Sequence, residues 1–192
     1  MTAILSCGVA YSPAMEHEIT QLTTRIAYEN RWLRVREDTV RRADGSTGLY
    51  GVVERREFVV VAPWHDGRLT LVEQYRYPVG RRMWELPMGT CEPGVDPVTT
   101  ARTELREETG FSADQLVFIA TMFQGPGYSD QAGHLYLATA LTEGSPAREA
   151  SELGMIQRAM TLLEVEAMVR DGTLQDAITL AAIGILKING LV

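Results

Sequence analysis

Residues 58–62 read Phe-Val-Val-Val-Ala, five apolar positions in a row with three β-branched side chains at the centre. Such a run has no polar face to offer water, so it predicts a strand buried in a sheet. His65-Asp66-Gly67 is a turn signal, and Arg68–Tyr75 predicts the returning strand. Trp84–Leu86 predicts a short strand stopped by Pro87 and Gly89. Leu116–Met122, His134–Leu141 and Met155–Met160 predict three more. Helical spacing marks three places: Pro97–Thr109, Leu162–Arg170 and Leu174–Leu186. Upstream, Arg25–Tyr28, Trp32–Val40 and Gly48–Val53 predict strands around the turn at Asp44-Gly45, whereas residues 1–21 have no period and predict a mobile arm. Strands, one central helix, more strands and then two helices make an α+β chain with α/β/α layers. Residues 1–55 form an N-terminal arm and β-hairpin region in this reading, and residues 56–192 the main domain.

Charge narrows the function classes. The net charge is −7, which argues against a nucleic-acid partner or an anionic membrane, both of which need basic surface. It does not exclude a phosphorylated substrate, because a bound cation can reverse the local field. The two cysteines, Cys7 and Cys91, make no disulfide framework, and three histidines give no zinc spacing. The apolar stretch near Met1 is too short for a membrane span and lacks a basic leader. The expectation is a soluble cytoplasmic protein.

The segment from Asp96 to Gly110 carries the chemistry. Asp96 is placed as N-cap, Pro97 at the first helical position and Gly110 as the stop. Glu104, Glu107 and Glu108 stand at i, i+3 and i+4, which gathers three carboxylates on one face. Val98, Ala101 and Leu105 fall beside them, suited to packing on a sheet. Like charges at this spacing repel by roughly 0.2–0.5 kcal/mol per pair, and the helix C-terminal end disfavours anions. A divalent cation, Mg²⁺ with its preference for oxygen, reverses that cost. A solvated acidic face neutralised by Arg102 and Arg106 has the same pattern.

At this point the sequence resembles the Nudix hydrolases. Their box, G-x5-E-x7-R-E-U-x-E-E-x-G-U with U bulky and apolar, falls on Gly89 through Phe111. Gly89, Glu104, Leu105, Glu107, Glu108 and Gly110 match. Val95 stands where the family has Glu, and Thr103 where it has Arg. Those two side chains pair in the family, so losing both strands no charge. Contact from the apolar Val95 is the expected replacement brace for the loop. Gln74-Tyr75-Arg76, Glu85-Leu86-Pro87-Met88-Gly89 and Pro126-Gly127-Tyr128-Ser129-Asp130 resemble the ADP-ribose pyrophosphatase-like branch.

The resemblance implies a Nudix-type α/β/α sandwich with a mixed sheet, and a homodimer built through the N-terminal hairpins. It implies Mg²⁺, or Mn²⁺ in its place, on Glu104 and Glu108, with Glu107 assisting directly or through water and the Gly89 carbonyl as a further ligand. It also implies hydrolysis of a nucleoside diphosphate derivative such as ADP-ribose. Arg76 is placed to clamp phosphate, with Glu85 beside it in the motif. A late-loop carboxylate that acts as base or extra ligand falls on Glu149 or Glu152, of which Glu152 lies nearer the following strand. Trp32 is a candidate for stacking on a base, although such a residue is more often core. Arg81 and Arg82 are either phosphate contacts or a basic turn. His134 and Cys91 read as structural. The alternative, raised by Val95 and Thr103, is a Nudix-fold nucleotide-binding regulator with weak or no catalysis.

Overall fold

The structure, a computed structural model, describes residues 18–148, 152 and 154–192. The chain divides into two compact units, one ending at Val53 and one running from Glu54 to Val192. The first is a three-stranded antiparallel sheet in the order β1(Ile19–Glu29), β2(Arg34–Arg42), β3(Thr47–Glu54). Residues 19–21, expected in a mobile arm, are the start of β1, where Ile19 pairs with Arg42. Their polar, aperiodic sequence hid the strand because every residue of β1 is exposed, so no buried face imposes alternation. Gly45 closes the β2–β3 turn with φ of 82°.

The second unit is built around the apolar run. β4(Phe58–His65) turns through Asp66 and Gly67, both at positive φ, into β5(Arg68–Arg76). The two strands pair only beside that turn, at Trp64–Leu69 and His65–Arg68. Beyond it they diverge. β6(Arg81–Glu85) takes the rest of β5, and β7(Met88–Thr90) takes the start of β4. Between β6 and β7 the chain runs through the opening, where Pro87 O accepts from Val61 N at 2.8 Å. This splayed hairpin sets Gly89 at the mouth of a cleft. β9(Ala132–Thr142) runs parallel to β4 and antiparallel to β8(Ser112–Phe123), and β10(Ile156–Thr161) closes the other side on β5. One parallel pair among antiparallel ones makes the sheet mixed.

Alternate residues of β4 serve different layers, as the two-residue strand period requires. Val59 and Val61 pack with Ala101 and Leu105 on one face. Val60 and Ala62 pack on the other with Val165 of α2(Leu162–Arg170) and Ile178, Ala182 and Leu186 of α3(Ala177–Ile188). The result is an α/β/α sandwich. Leu174, expected to open the last helix, is buried in the preceding loop, and Asp176 caps α3 through Thr179 N at 2.7 Å.

Candidate active site

The helix begins where its caps predict. Asp96 accepts from Val98 N at 3.0 Å, and Pro97 occupies the first turn of α1(Pro97–Glu104). It does not continue as an α-helix to Thr109. Residues Leu105–Thr109 form a π-helical turn, closed by Gly110 at φ of 78°. The Thr109 hydroxyl donates to Leu105 O, the acceptor that an α-helix would reserve for Thr109 N. A carboxylate oxygen of Glu104 and one of Glu108 lie together with one from Glu152, all within 4.8 Å of one another. Glu107 stands outside this trio and faces Arg106 at 3.7 Å. Glu149 lies outside the described residues.

Glu108 is the centre of the arrangement, at 2% exposure. Burial pushes its carboxyl up to about 9. Glu104 and Glu152 add to the shift, while Arg76 and a backbone hydrogen bond at Met88 oppose it. Its Oε2 is buried with no hydrogen-bond partner. A carboxylate oxygen enclosed without a donor, beside two more carboxylates, is a donor set suited to a hard divalent cation. Gly89 is part of the same packing. A Cβ there would meet Glu104 Oε1 at 1.8 Å, so the Glu104 carboxylate lies directly against the Gly89 backbone.

Next to the trio lies a cleft of about 420 Å³ lined by Gly89, Met88, Arg76, Arg55, Gln131 and Asp176, among others. Arg76 holds Glu85 through Nε at 2.8 Å and through Nη2, and Glu85 is 3% exposed. This bond holds the Arg76 charge more firmly than usual. Arg76→Ala would leave Glu85 buried and unpaired. Since the Arg76 side chain is 38% exposed, solvent screening puts the expected destabilisation near the low end for buried pairs, about 3 kcal/mol by urea denaturation. Arg76→Ala with Glu85→Gln should recover most of it.

Other expected residues are placed elsewhere. Arg81 lies in β6, bonded to Gln175, and is not among the cleft's lining. Arg82 holds Glu73 at 2.6 Å and Gly154 O at 2.9 Å. Trp32 belongs to the other unit, with the Arg31 guanidinium 4.1 Å from its ring centroid. His134 pairs through Nε2 with Glu57 at 3.0 Å. Val95, expected to brace the loop, is 40% exposed and belongs to neither core cluster. Cys91 N bonded to Glu57 O at 2.9 Å, the Arg56–Glu92 ion pair and the Asp96 cap hold the loop. Arg55, Gln131 and Asp176 were missed in the sequence. No spacing could have found them, since the fold gathers them from three distant segments.

A mixed sheet between helix layers, with carboxylates of one helix gathered beside a cleft that carries two arginines, is an arrangement that can hold a divalent cation. The chain belongs to the Nudix family: the NUDIX domain model matches residues 54–181. Residues 19–53 match the nucleoside diphosphate sugar hydrolase N-terminal domain. The chain is similar to the ADP-ribose pyrophosphatase of Mycobacterium tuberculosis, at 32% identity over 92% of this chain and 86% of the relative. It is similar to that of Bacillus subtilis at 33% identity over 72% and 80%. It is also similar to the methanol dehydrogenase activator of Bacillus methanolicus, at 29% identity over 88% and 92%. A crystal structure of an ADP compounds hydrolase shares the fold with a TM-score of 0.81 at 22% identity, covering 94% of this chain and all of that one. The family resemblance carried by the motifs and the α/β/α expectation are both borne out. Among the described residues no helix is long and apolar enough to cross a membrane.

Proposed function

We propose that the protein hydrolyses the pyrophosphate bond of a nucleoside diphosphate sugar, with ADP-ribose the first candidate, using Mg²⁺ or Mn²⁺. The observation that carries this reading is Glu108, buried with an unpartnered oxygen among two more carboxylates and beside the two arginines of the cleft. Glu104, Glu108, Glu152 and the Gly89 carbonyl are the proposed holders of the ion. When bound, the ion supplies positive charge to the pyrophosphate oxygens and helps activate the attacking water. Arg76, held by Glu85, and Arg55 bind the phosphates as guanidinium forks. Water attacks one phosphorus, the bridging P–O bond breaks, and two phosphate monoesters leave. Glu152 accepts the proton that the water gives up through the carboxylate oxygen it does not offer the ion. Glu107, outside the trio, keeps only a water-mediated part.

Two further points belong to this reading. The N-terminal unit forms a homodimer interface, supported by the exposed Ile19, Leu22, Ile26 and Tyr28 on β1. The setting is cytoplasmic, in keeping with Cys91 as a free thiol. A hydrolysis screen over nucleoside diphosphate sugars with Mg²⁺, with product identification, tests the function. AMP and ribose 5-phosphate should form from ADP-ribose at about 1 s⁻¹ or faster. If Mg²⁺ and Mn²⁺ both leave the whole panel intact, the reading fails.

A further inference from the structure

Glu152 lies in a different part of the chain from Glu104 and Glu108, in the segment that joins β9 to β10. Something must hold that segment against the π turn, and one side chain touches both. Arg148 donates through Nε and Nη2 to Glu108 O, at 3.3 and 3.2 Å. Its Nη1 donates to Met155 O at 2.6 Å, and Nη2 also reaches Gln157 Oε1 at 3.4 Å. One guanidinium thus joins the carbonyl of the buried carboxylate residue to the start of β10. Met155 N in turn bonds to Glu152 O at 2.9 Å.

The backbone supports the same docking. Ala147 N bonds to Glu107 O at 3.1 Å. Gly110 and Gly144 meet closely enough that a Cβ on Gly110 would lie 2.4 Å from Gly144 O. The carbonyls near a helix C-terminus need outside donors, and at this one the donors come from the segment that carries Glu152. A lysine could not reproduce the arrangement, since its ammonium is a point charge without the planar fork.

We infer that Arg148 is the positioning residue of the site: by clamping Glu108 O and Met155 O together it sets the Glu152 carboxylate against Glu104 and Glu108. This rests on the proposed metal-holding role of that trio. Arg148 touches neither substrate nor ion and acts through Glu152.

The test is a double-mutant cycle on the full-length protein, read first by Mn²⁺ binding in calorimetry without substrate and then by kcat and KM. Arg148→Ala and Glu152→Gln should each weaken Mn²⁺ about 10-fold. The double variant should bind no more weakly than Glu152→Gln. Both single variants should lose kcat with little change in KM, and Arg148→Lys should restore only part of the Mn²⁺ affinity. Thermal melts check folding. If Arg148→Ala does not fold, Arg148→Lys takes its place in the cycle, with a smaller loss that must likewise vanish when Glu152 is already Gln. Wild-type Mn²⁺ affinity in the Arg148 variants overturns the inference, and so do losses that multiply in the double variant. Unchanged Mn²⁺ binding in Glu152→Gln also overturns it, removing Glu152 from the ligand set. Failure of the broader functional reading shows separately, as no turnover by the wild-type protein.

Discussion

Glu108→Gln is expected to cut turnover by orders of magnitude and yet to stabilise the metal-free protein at neutral and alkaline pH. An unfolded Glu ionises near pH 4.3, whereas Glu108 in the fold is pushed up to about 9. Between those values the folded state holds a proton that the unfolded state has released. Stability therefore falls as pH rises through this window, by at most about 1.4 kcal/mol per unit, and levels off above the folded value. Gln cannot ionise, so it removes the slope. Urea denaturation in chelator should give similar stabilities for the two proteins at pH 4.5. By pH 8 the variant should lead by an amount on the order of a few kcal/mol. Parallel pH profiles for the two proteins would sink the claim.

Adding metal reverses the comparison. Ligand carboxylates must be deprotonated to bind, so affinity rises with pH and the ion stabilises where the apo protein is weakest. Mg²⁺ should raise the melting temperature of the wild-type protein at pH 8 and leave Glu108→Gln almost unmoved. Turnover should fall by about 10²–10³ or more, the scale for losing one preorganised electrostatic element. The opposite signs of the stability and activity effects identify a site that is strained until it is filled.

What could be read from the sequence was local. Asp96, Pro97 and Gly110 bound the helix because capping depends on neighbours within a few residues, and the structure keeps all three. The carboxylate face was legible from periodicity, but not its final form. The π turn depends on the Thr109 hydroxyl reaching Leu105 O, which a 3.6-residue period does not encode. Periodicity grouped Glu107 with Glu104 and Glu108, whereas the converging trio holds Glu152 beside those two. The bonds that hold the loop around Val95 were hidden for a related reason. The groups that hold that loop, Glu57 O and Arg56, come from the residues just before β4, about 35 residues earlier. Glu152 was reached through the resemblance to other Nudix chains, because its place beside Glu108 depends on contacts across 40 residues or more. The cleft residues Arg55, Gln131 and Asp176 left no signal in spacing, since splayed strands and a helix cap bring them together.

Gly89→Ala should separate activity from stability. The backbone at Gly89 is not among the positive-φ glycines, so alanine meets no conformational penalty there. The obstacle is the Glu104 side chain, whose Oε1, Cδ and Oε2 would lie 1.8, 2.0 and 2.6 Å from the new Cβ. Its carboxylate is the end of a flexible chain and can withdraw, so unfolding should change by only about 1 kcal/mol. Withdrawal takes Glu104 out of reach of Glu108 and Glu152, so Mn²⁺ affinity and kcat should drop about 10- to 100-fold. Gly110→Ala makes the contrast. There φ is 78° and the new Cβ would lie 2.4 Å from the backbone oxygen of Gly144, which cannot swing aside. That variant should lose on the order of 1–3 kcal/mol of stability from strain alone, besides loosening the segment that carries Glu152. Calorimetric Mn²⁺ titration and urea unfolding of the two alanine variants decide the matter. Gly89→Ala with wild-type Mn²⁺ affinity would show that Glu104 need not lie against the Gly89 backbone to hold the ion.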